Sequence, residues 1–255
     1  MVETVGAVVI TGGATSVGLA TARRFLGDGR RVHVCDVDEA ALAAARAALP
    51  GLVAHRLDVT DPFAVEQGFA AILDAGPVDV LANVVGLGGP RCPIEAVSYA
   101  DWARTLDGSV GAAFFTIKQL APHFKARGQG CIVNFSSSST KTGLPNRTPY
   151  VVAKAAVEAL TRNLARELGP YGVRVNAILP GAIDNPRLDA LIQSGAADRG
   201  IALAEFERHL LRFISMRARI SVAELAEVVH FLASDAARHI TGQLLAVDGN
   251  AEWEE

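Results

Sequence analysis

The 255-residue sequence predicts an α/β fold in which a parallel sheet is covered by helices on both faces. Three observations predict it. Short β-branched runs alternate with longer Ala- and Leu-rich stretches along the chain, the rhythm of repeated strand–helix–strand units. The short runs are continuously apolar rather than alternating, as strands buried on both faces must be. Half of the composition, 50%, is hydrophobic and only 20% is charged, enough to bury one large core. A chain of this length could divide in two, but α/β units often reach this size undivided, and a single domain over residues 1–255 is expected.

The elements follow in order. A strand over residues 6–11 leads into a helix over 17–28, then a strand over 31–36 and a helix over 39–49. A strand over 52–57 precedes a helix opened by Asp61 and Pro62, a cap followed by the residue whose fixed φ suits the first helical turn. A strand over 78–83, a long helical stretch from 101 to about 127, a strand over 130–135, a helix near 150–168 and a strand over 173–178 continue the pattern. From 180 to about 203 it dissolves into Gly, Pro, Asn and charge, which reads as a substrate loop or lid extending to about 219. The spacing Ser221 to Glu224 is a capping box for a helix over 222–233, and residues 243–248 form a last strand.

The charge balance, 24 Lys and Arg against 27 Asp and Glu, excludes a polybasic grip on nucleic acid. Three scattered cysteines without a CxxC pair argue against a disulfide framework and a structural zinc site, and no His/Asp/Cys grouping has metal-ligand spacing, so no metal is expected. No run approaches a membrane span or a secretory signal core. A cytoplasmic protein with no membrane partner is expected.

Two constellations carry chemistry. Residues 11–18, TGGATSVG, lie between a predicted strand and helix, where glycines let the main chain approach a pyrophosphate and the helix N-terminus attracts its charge. Asp36 ends the next strand, 18 residues after Gly18, where a carboxylate can accept from both adenosine ribose hydroxyls and repel a 2′-phosphate. Neither Thr15 nor Val37 supplies a cation for that phosphate, so NAD is favoured over NADP. Further on, Tyr150 and Lys154 share one helical face, and Ser137 follows a strand at the carboxyl edge where open α/β sheets bind ligands. A free tyrosine ionises near pH 10, so a base at neutral pH needs a cation beside it, and Lys154 supplies one.

On these residues the chain resembles the short-chain dehydrogenase/reductase family, from Thr11 to Gly249. The family turn TGxxxGxG falls on Thr11, Gly12, Ser16 and Gly18, its YxxxK on Tyr150 and Lys154, and its catalytic serine on Ser137. Asp58 and Val59 match its adenine-contacting pair, residues 83–86 (NVVG, with Asn83 and Gly86) its NNAG turn, and residues 180–183 (PGAI) its segment near the nicotinamide. The resemblance implies a Rossmann-like sheet of about seven strands and an NAD-dependent oxidoreductase interconverting a secondary alcohol and a carbonyl. It implies a homotetramer pairing the long helices and the C-terminal strand region. It further implies cofactor contacts from Gly12, Thr15, Ser16, Val17, Gly18, Asp36, Asp58, Val59, Asn83, Gly86, Tyr150, Lys154, Pro180, Gly181, Ile183 and Asn185.

The chain departs from the pattern at Ser16 (the middle glycine), Val84 and Val85 (Asn and Ala of NNAG), Asn185 (often Thr) and Ser109, where the family has a fourth catalytic Asn. That Asn holds a proton-relay water largely through its backbone carbonyl, which a serine keeps. Ser109 and Ser16 motivate a rival reading, a catalytically weakened NAD-binding regulator; a third is an NAD-dependent reductase of an oxo-acid. Lys141, Asn146 and Arg147 are expected near the pocket mouth. The six arginines between Arg187 and Arg219 are read instead as solvated helix charges, Glu205 pairing with Arg208 and Arg212, and His123 and His209 as plain helix-face residues.

Overall fold

The computed structural model describes residues 5–252. Seven strands form one parallel sheet: β1 (Ala7–Thr11), β2 (Val32–Asp36), β3 (Val53–Arg56), β4 (Val78–Asn83), β5 (Gly130–Phe135), β6 (Val173–Pro180) and β7 (Leu244–Val247), in the order β3-β2-β1-β4-β5-β6-β7. The order reverses direction at β1 and β4, and the carboxyl ends of the strands there open the crevice in which such sheets bind ligands.

Helices cover both faces. Against one lie α1 (Ser16–Gly27), α2 (Glu39–Ala48) and α10 (Val222–Ala233), contributing Phe25, Leu42 and Leu225 to a core with Val8, Ile10 and Val34. Against the other lie α3 (Pro62–Asp74), α5 (Ala112–Arg127) and α7 (Thr148–Leu168), contributing Phe69, Phe124 and Leu168 to a core with Val9, Leu81 and Ile132. The starts follow local chemistry. Asp61 accepts from the N–H of Phe63 at 2.9 Å, and Ser221 and Glu224 form the expected capping box. On the second face a polar chain runs across β4 and β5 beneath α5 and α7. Asn83 donates to Asn134 at 3.0 Å and accepts from Thr116 at 2.8 Å, and Asn134 donates to Thr161 at 3.0 Å.

The expected stretch from 101 to about 127 is helical throughout, running from α4 (Tyr99–Leu106), capped by Ser98, through a π-helical turn, Asp107–Gly111, into α5. Two expectations are corrected. The segment from 180 to 203 is not an irregular loop. It contains α8 (Pro186–Arg199), and α9 (Leu203–Leu211) follows it. Asn185 caps α8 by accepting from the N–H of Leu188 at 3.0 Å, Pro186 takes the first helical position, and Ile192, Ala196 and Phe206 form a small separate core. Helix α9 ends at Leu211, before Arg212, and among the described residues no ion pair joins Glu205 to Arg208 or Arg212. Arg219 instead meets Asp184, Asp189 and Glu207 at 2.8, 2.7 and 2.6 Å.

Candidate active site

The glycine-rich turn joins β1 to α1. Gly12 has φ +62°, and Ser16 holds φ +48°, a left-handed conformation that costs a residue with a Cβ about 1 kcal/mol. The family glycine at that place is thus explained by backbone geometry, and this chain keeps the conformation with a serine. Gly18 has no room for a side chain: a Cβ there would collide with the carbonyl of Gly12 and stand 2.7 Å from the Cα of Gly13. Thr15 is the N-cap of α1, yet its side chain caps none of the helix N–H groups. The main-chain donors of the first turn therefore face the cavity without an internal acceptor, the arrangement that takes an anionic group.

Asp36 ends β2. Its Oδ2 accepts from Ala14 N–H at 3.2 Å and its Oδ1 from Val37 N–H at 2.8 Å, so the carboxylate is held at the lip of the turn. Beyond it a cavity of about 490 Å³ is lined by Asp36, Val37, Asp58, Val59, Thr60 and Val85. Asp58 accepts from both the N–H and the hydroxyl of Thr60, which fixes that wall. A second cavity of about 720 Å³ begins at Gly12, Thr15, Ser16 and Val17 and reaches Gly86, Ser137, Tyr150, Lys154, Pro180, Gly181, Ile183 and Asn185. Together the two have the room for an extended dinucleotide, with the uncapped helix turn between the Asp36 carboxylate and the Tyr150 end. The residues present fit that group.

Ser137 follows β5 and is only 9% exposed. Its Oγ accepts from the hydroxyl of Ser139 at 2.9 Å and the N–H of Ser139 at 3.3 Å, leaving its own proton to be donated into the cavity. Glu158 steadies the loop by accepting from Ser136 at 2.8 Å and Thr140 at 2.5 Å. Lys154 is 5% exposed, and its Nζ donates to the carbonyl of Phe135 at 2.7 Å. Burial, and after it the positive charge of Arg187, pushes the Lys154 ammonium down to about 8. Its Nζ lies 5.9 Å from the centroid of the Tyr150 ring. A Cβ at Gly86 would come within 2.5 Å of that Nζ, so glycine is what keeps the lysine in contact with the open cavity.

Other expected positions play different parts. The side chain of Asn83 is spent in the buried polar chain, so only its main chain is left for a ligand. Asn185 uses its oxygen to cap α8 and donates its amide to Ser16 Oγ at 3.4 Å, tying the turn to the segment beyond β6. Ser109 lies in the π-helical turn, 2% exposed, with its hydroxyl unpartnered, while its carbonyl accepts from the N–H of Ala112. Lys141 pairs with the buried Asp248 at 3.2 Å, and Asn146 has φ +62°. His123 meets the N–H of Val78 at 3.1 Å, and His209 packs edge-on to Phe213.

Arg187 is exposed in the first turn of α8, as a helix-surface arginine is, but it also faces the site. Its guanidinium lines the larger cavity and stands 6.0 Å from the Tyr150 ring, with that of Arg147 at 5.1 Å. Its place six residues after Gly181 was the available sequence signal. Glu158 and Ser139, also missed, carry no motif of their own.

A family model described as enoyl-(acyl carrier protein) reductase matches residues 12–250. The chain belongs to the short-chain dehydrogenase/reductase family, whose members bind nicotinamide cofactors. It is 36% identical over 249 residues to cis-4-hydroxycyclohexanecarboxylate dehydrogenase of Sinomonas cyclohexanicum, covering 94% of both chains. Its fold is similar to NAD+-bound xylitol dehydrogenase (TM-score 0.90, 29% identity, 96% and 98% of the two chains). It is similar also to an actinorhodin polyketide ketoreductase with NADPH (TM-score 0.91, 27% identity, 97% and 98%). Among the described residues no helix is long and apolar enough to cross a membrane, and no group of three His, Cys, Asp or Glu could hold a metal.

Proposed function

We propose that the protein is an NAD-dependent oxidoreductase that interconverts a secondary alcohol and a carbonyl. The observation that carries this reading is the convergence of Ser137, Tyr150 and Lys154 on one cavity that continues to the uncapped turn at Gly12–Gly18. When bound, the nicotinamide supplies the hydride acceptor or donor. Tyr150 takes the alcohol proton as the carbon is oxidised, and returns it in the reverse direction. Ser137, whose oxygen already accepts from Ser139, donates to the substrate oxygen as charge changes there. Lys154 sets positive charge beside Tyr150, and its remaining protons can reach ribose hydroxyls across the Gly86 opening.

Asp36 supports NAD over NADP, since its carboxylate stands fixed where a 2′-phosphate would lie. The NAD-bound and NADPH-bound structural neighbours support the cofactor class equally. In this reading helices α8 and α9 form the substrate lid, which the hydrogen bond from Asn185 to Ser16 of the turn supports. Exposed Tyr99 on α4, Phe114 on α5 and Val152 on α7 support a homotetramer through those helices, and three unpaired cysteines suit a cytoplasmic setting.

The test is absorbance at 340 nm with NAD or NADP across secondary alcohols, polyols and hydroxy acids, beside calorimetric titration of each cofactor. Turnover with NAD that disappears in Tyr150→Phe, while NAD affinity holds, is the expected result. Unchanged turnover in that variant would remove Tyr150 from the mechanism. Tight NAD binding without turnover on any substrate would make the protein a nucleotide-binding regulator.

A further inference from the structure

Resting on the oxidoreductase reading, we propose that the substrate carries a carboxylate, bound by Arg187 and backed by the fixed charge of Arg147 beside Tyr150. The two guanidinium groups converge on one spot. A Cβ at Gly88 would collide with Nη2 of Arg187 and stand 3.0 Å from Nη2 of Arg147, so the space that glycine leaves is a cradle between two cations. They are close enough for the two oxygens of one carboxylate to bridge them.

Among the described residues the two cations have no anionic partner. Arg187 makes no hydrogen bond or ion pair among the described residues beyond its approach to the Tyr150 ring. Arg147 is 9% exposed, donates to the carbonyl of Gly88 and leaves Nε buried without an acceptor. The carboxylates around the mouth are committed elsewhere: Asp184 and Asp189 to Arg219, Asp248 to Lys141, and Glu158 to Ser136 and Thr140. Lys154 adds a third cation, and Arg187 and Arg91 both act on Arg147 through like charge.

Position makes the arrangement more costly. Arg147 is the N-cap residue of α7 and Arg187 stands in the first turn of α8, both at helix ends that disfavour positive charge. Two cations without an anionic partner among the described residues, both held against helix dipoles and Arg147 against burial as well, are what a site for an anion looks like before its ligand arrives. Because Arg187 reaches toward Tyr150, and not toward Asp36, the anion belongs to the reacting molecule: a hydroxy acid in one direction, an oxo-acid in the other.

The experiment compares 2-hydroxybutyrate, 3-hydroxybutyrate and 4-hydroxypentanoate, each against its primary amide, in wild type, Arg187→Gln and Arg187→Lys. In wild type, kcat/KM for the best acid should exceed that of its amide by about 10-fold or more, the size of a charge-assisted contact. Arg187→Gln should erase the preference, mainly through KM, and Arg187→Lys should restore part of it. Equal turnover of acid and amide, or equal losses in Arg187→Gln, would overturn the proposal. So would a loss confined to NAD affinity, which would assign Arg187 to a cofactor phosphate. Benzoate and benzamide, titrated into NAD-loaded protein, test the anion site without turnover. Benzoate bound selectively and lost in Arg187→Gln supports the site even if no alcohol is oxidised, whereas equal affinity for the two would overturn it. Absence of any oxidation with NAD or NADP refutes only the oxidoreductase reading.

Discussion

Lys154→Met should make the cofactor-free protein more stable at neutral pH while removing its activity. The buried ammonium has a pKa of about 8 in the native state against an ordinary value of 10.5. That gap corresponds to about 3 kcal/mol at 1.36 kcal/mol per pH unit. Below pH 8 both native and unfolded chains carry the proton, and the native state bears the full cost of burying it. Between about 8 and 10.5 the native state gives up the proton first while the unfolded chain keeps it, so wild-type stability rises with pH through that window; above it the cost is gone. Methionine keeps the length of the side chain without the charge, but forfeits the 2.7 Å bond to Phe135, about 1 kcal/mol. The variant should therefore be about 2 kcal/mol more stable at pH 7, and about 1 kcal/mol less stable than wild type at pH 10.5. Urea unfolding at matched protein concentration and both pH values measures it. A variant less stable at pH 7, or a difference that does not change with pH, would refute the argument.

Ser109→Ala removes a buried hydroxyl that has no partner, so stability should rise by about 1 kcal/mol in thermal unfolding. Turnover should stay within a few-fold if the carbonyl serves the relay, and a large loss would assign the work to the hydroxyl. His33 is held down to about 4, first by burial and then by the facing His55. The unfolded chain takes up this proton near 6.5 and the native state does not, so stability should fall from pH 6.5 toward 4, and His33→Phe should flatten that acid limb in a series of urea midpoints. Light scattering should give about four times the 26.7 kDa chain mass; a monomer would remove the proposed assembly.

The sheet was readable because each strand is a short, continuously apolar run, a pattern imposed by burial on both faces. The turn at Gly12–Gly18 and the pair Tyr150 and Lys154 were readable because spacing along one element fixes their geometry. What was not readable depended on contacts between distant segments. Helix α8 begins with Asn185 and Pro186, a cap and a first-turn residue, but its Gly, Asp and Arg content hid a helix whose small core needs Phe206 from the next one. The approach of the exposed Arg187 to Gly88 was not readable, because nothing in its own segment reveals that Gly88 passes beside it. Asn83 matched a family motif, yet its side chain bonds Asn134 and Thr116, partners set by sheet order and helix packing rather than by local sequence.

That last bond also acts as an alignment pin. Asn83 and Asn134 are register partners in adjacent strands, and their side chains are joined as well as their backbones. Three residues beyond Asn83 stands Gly86, which opens the cavity to Lys154; three beyond Asn134 stands Ser137. A slip of one residue between these strands would shift one end against the other by about 3.3 Å, more than the tolerance of a hydrogen bond, and would take the buried Nδ2 of Asn83 from the Oδ1 of Asn134. The cofactor wall and the serine that faces the substrate are thereby kept level by a contact buried in the sheet, away from both.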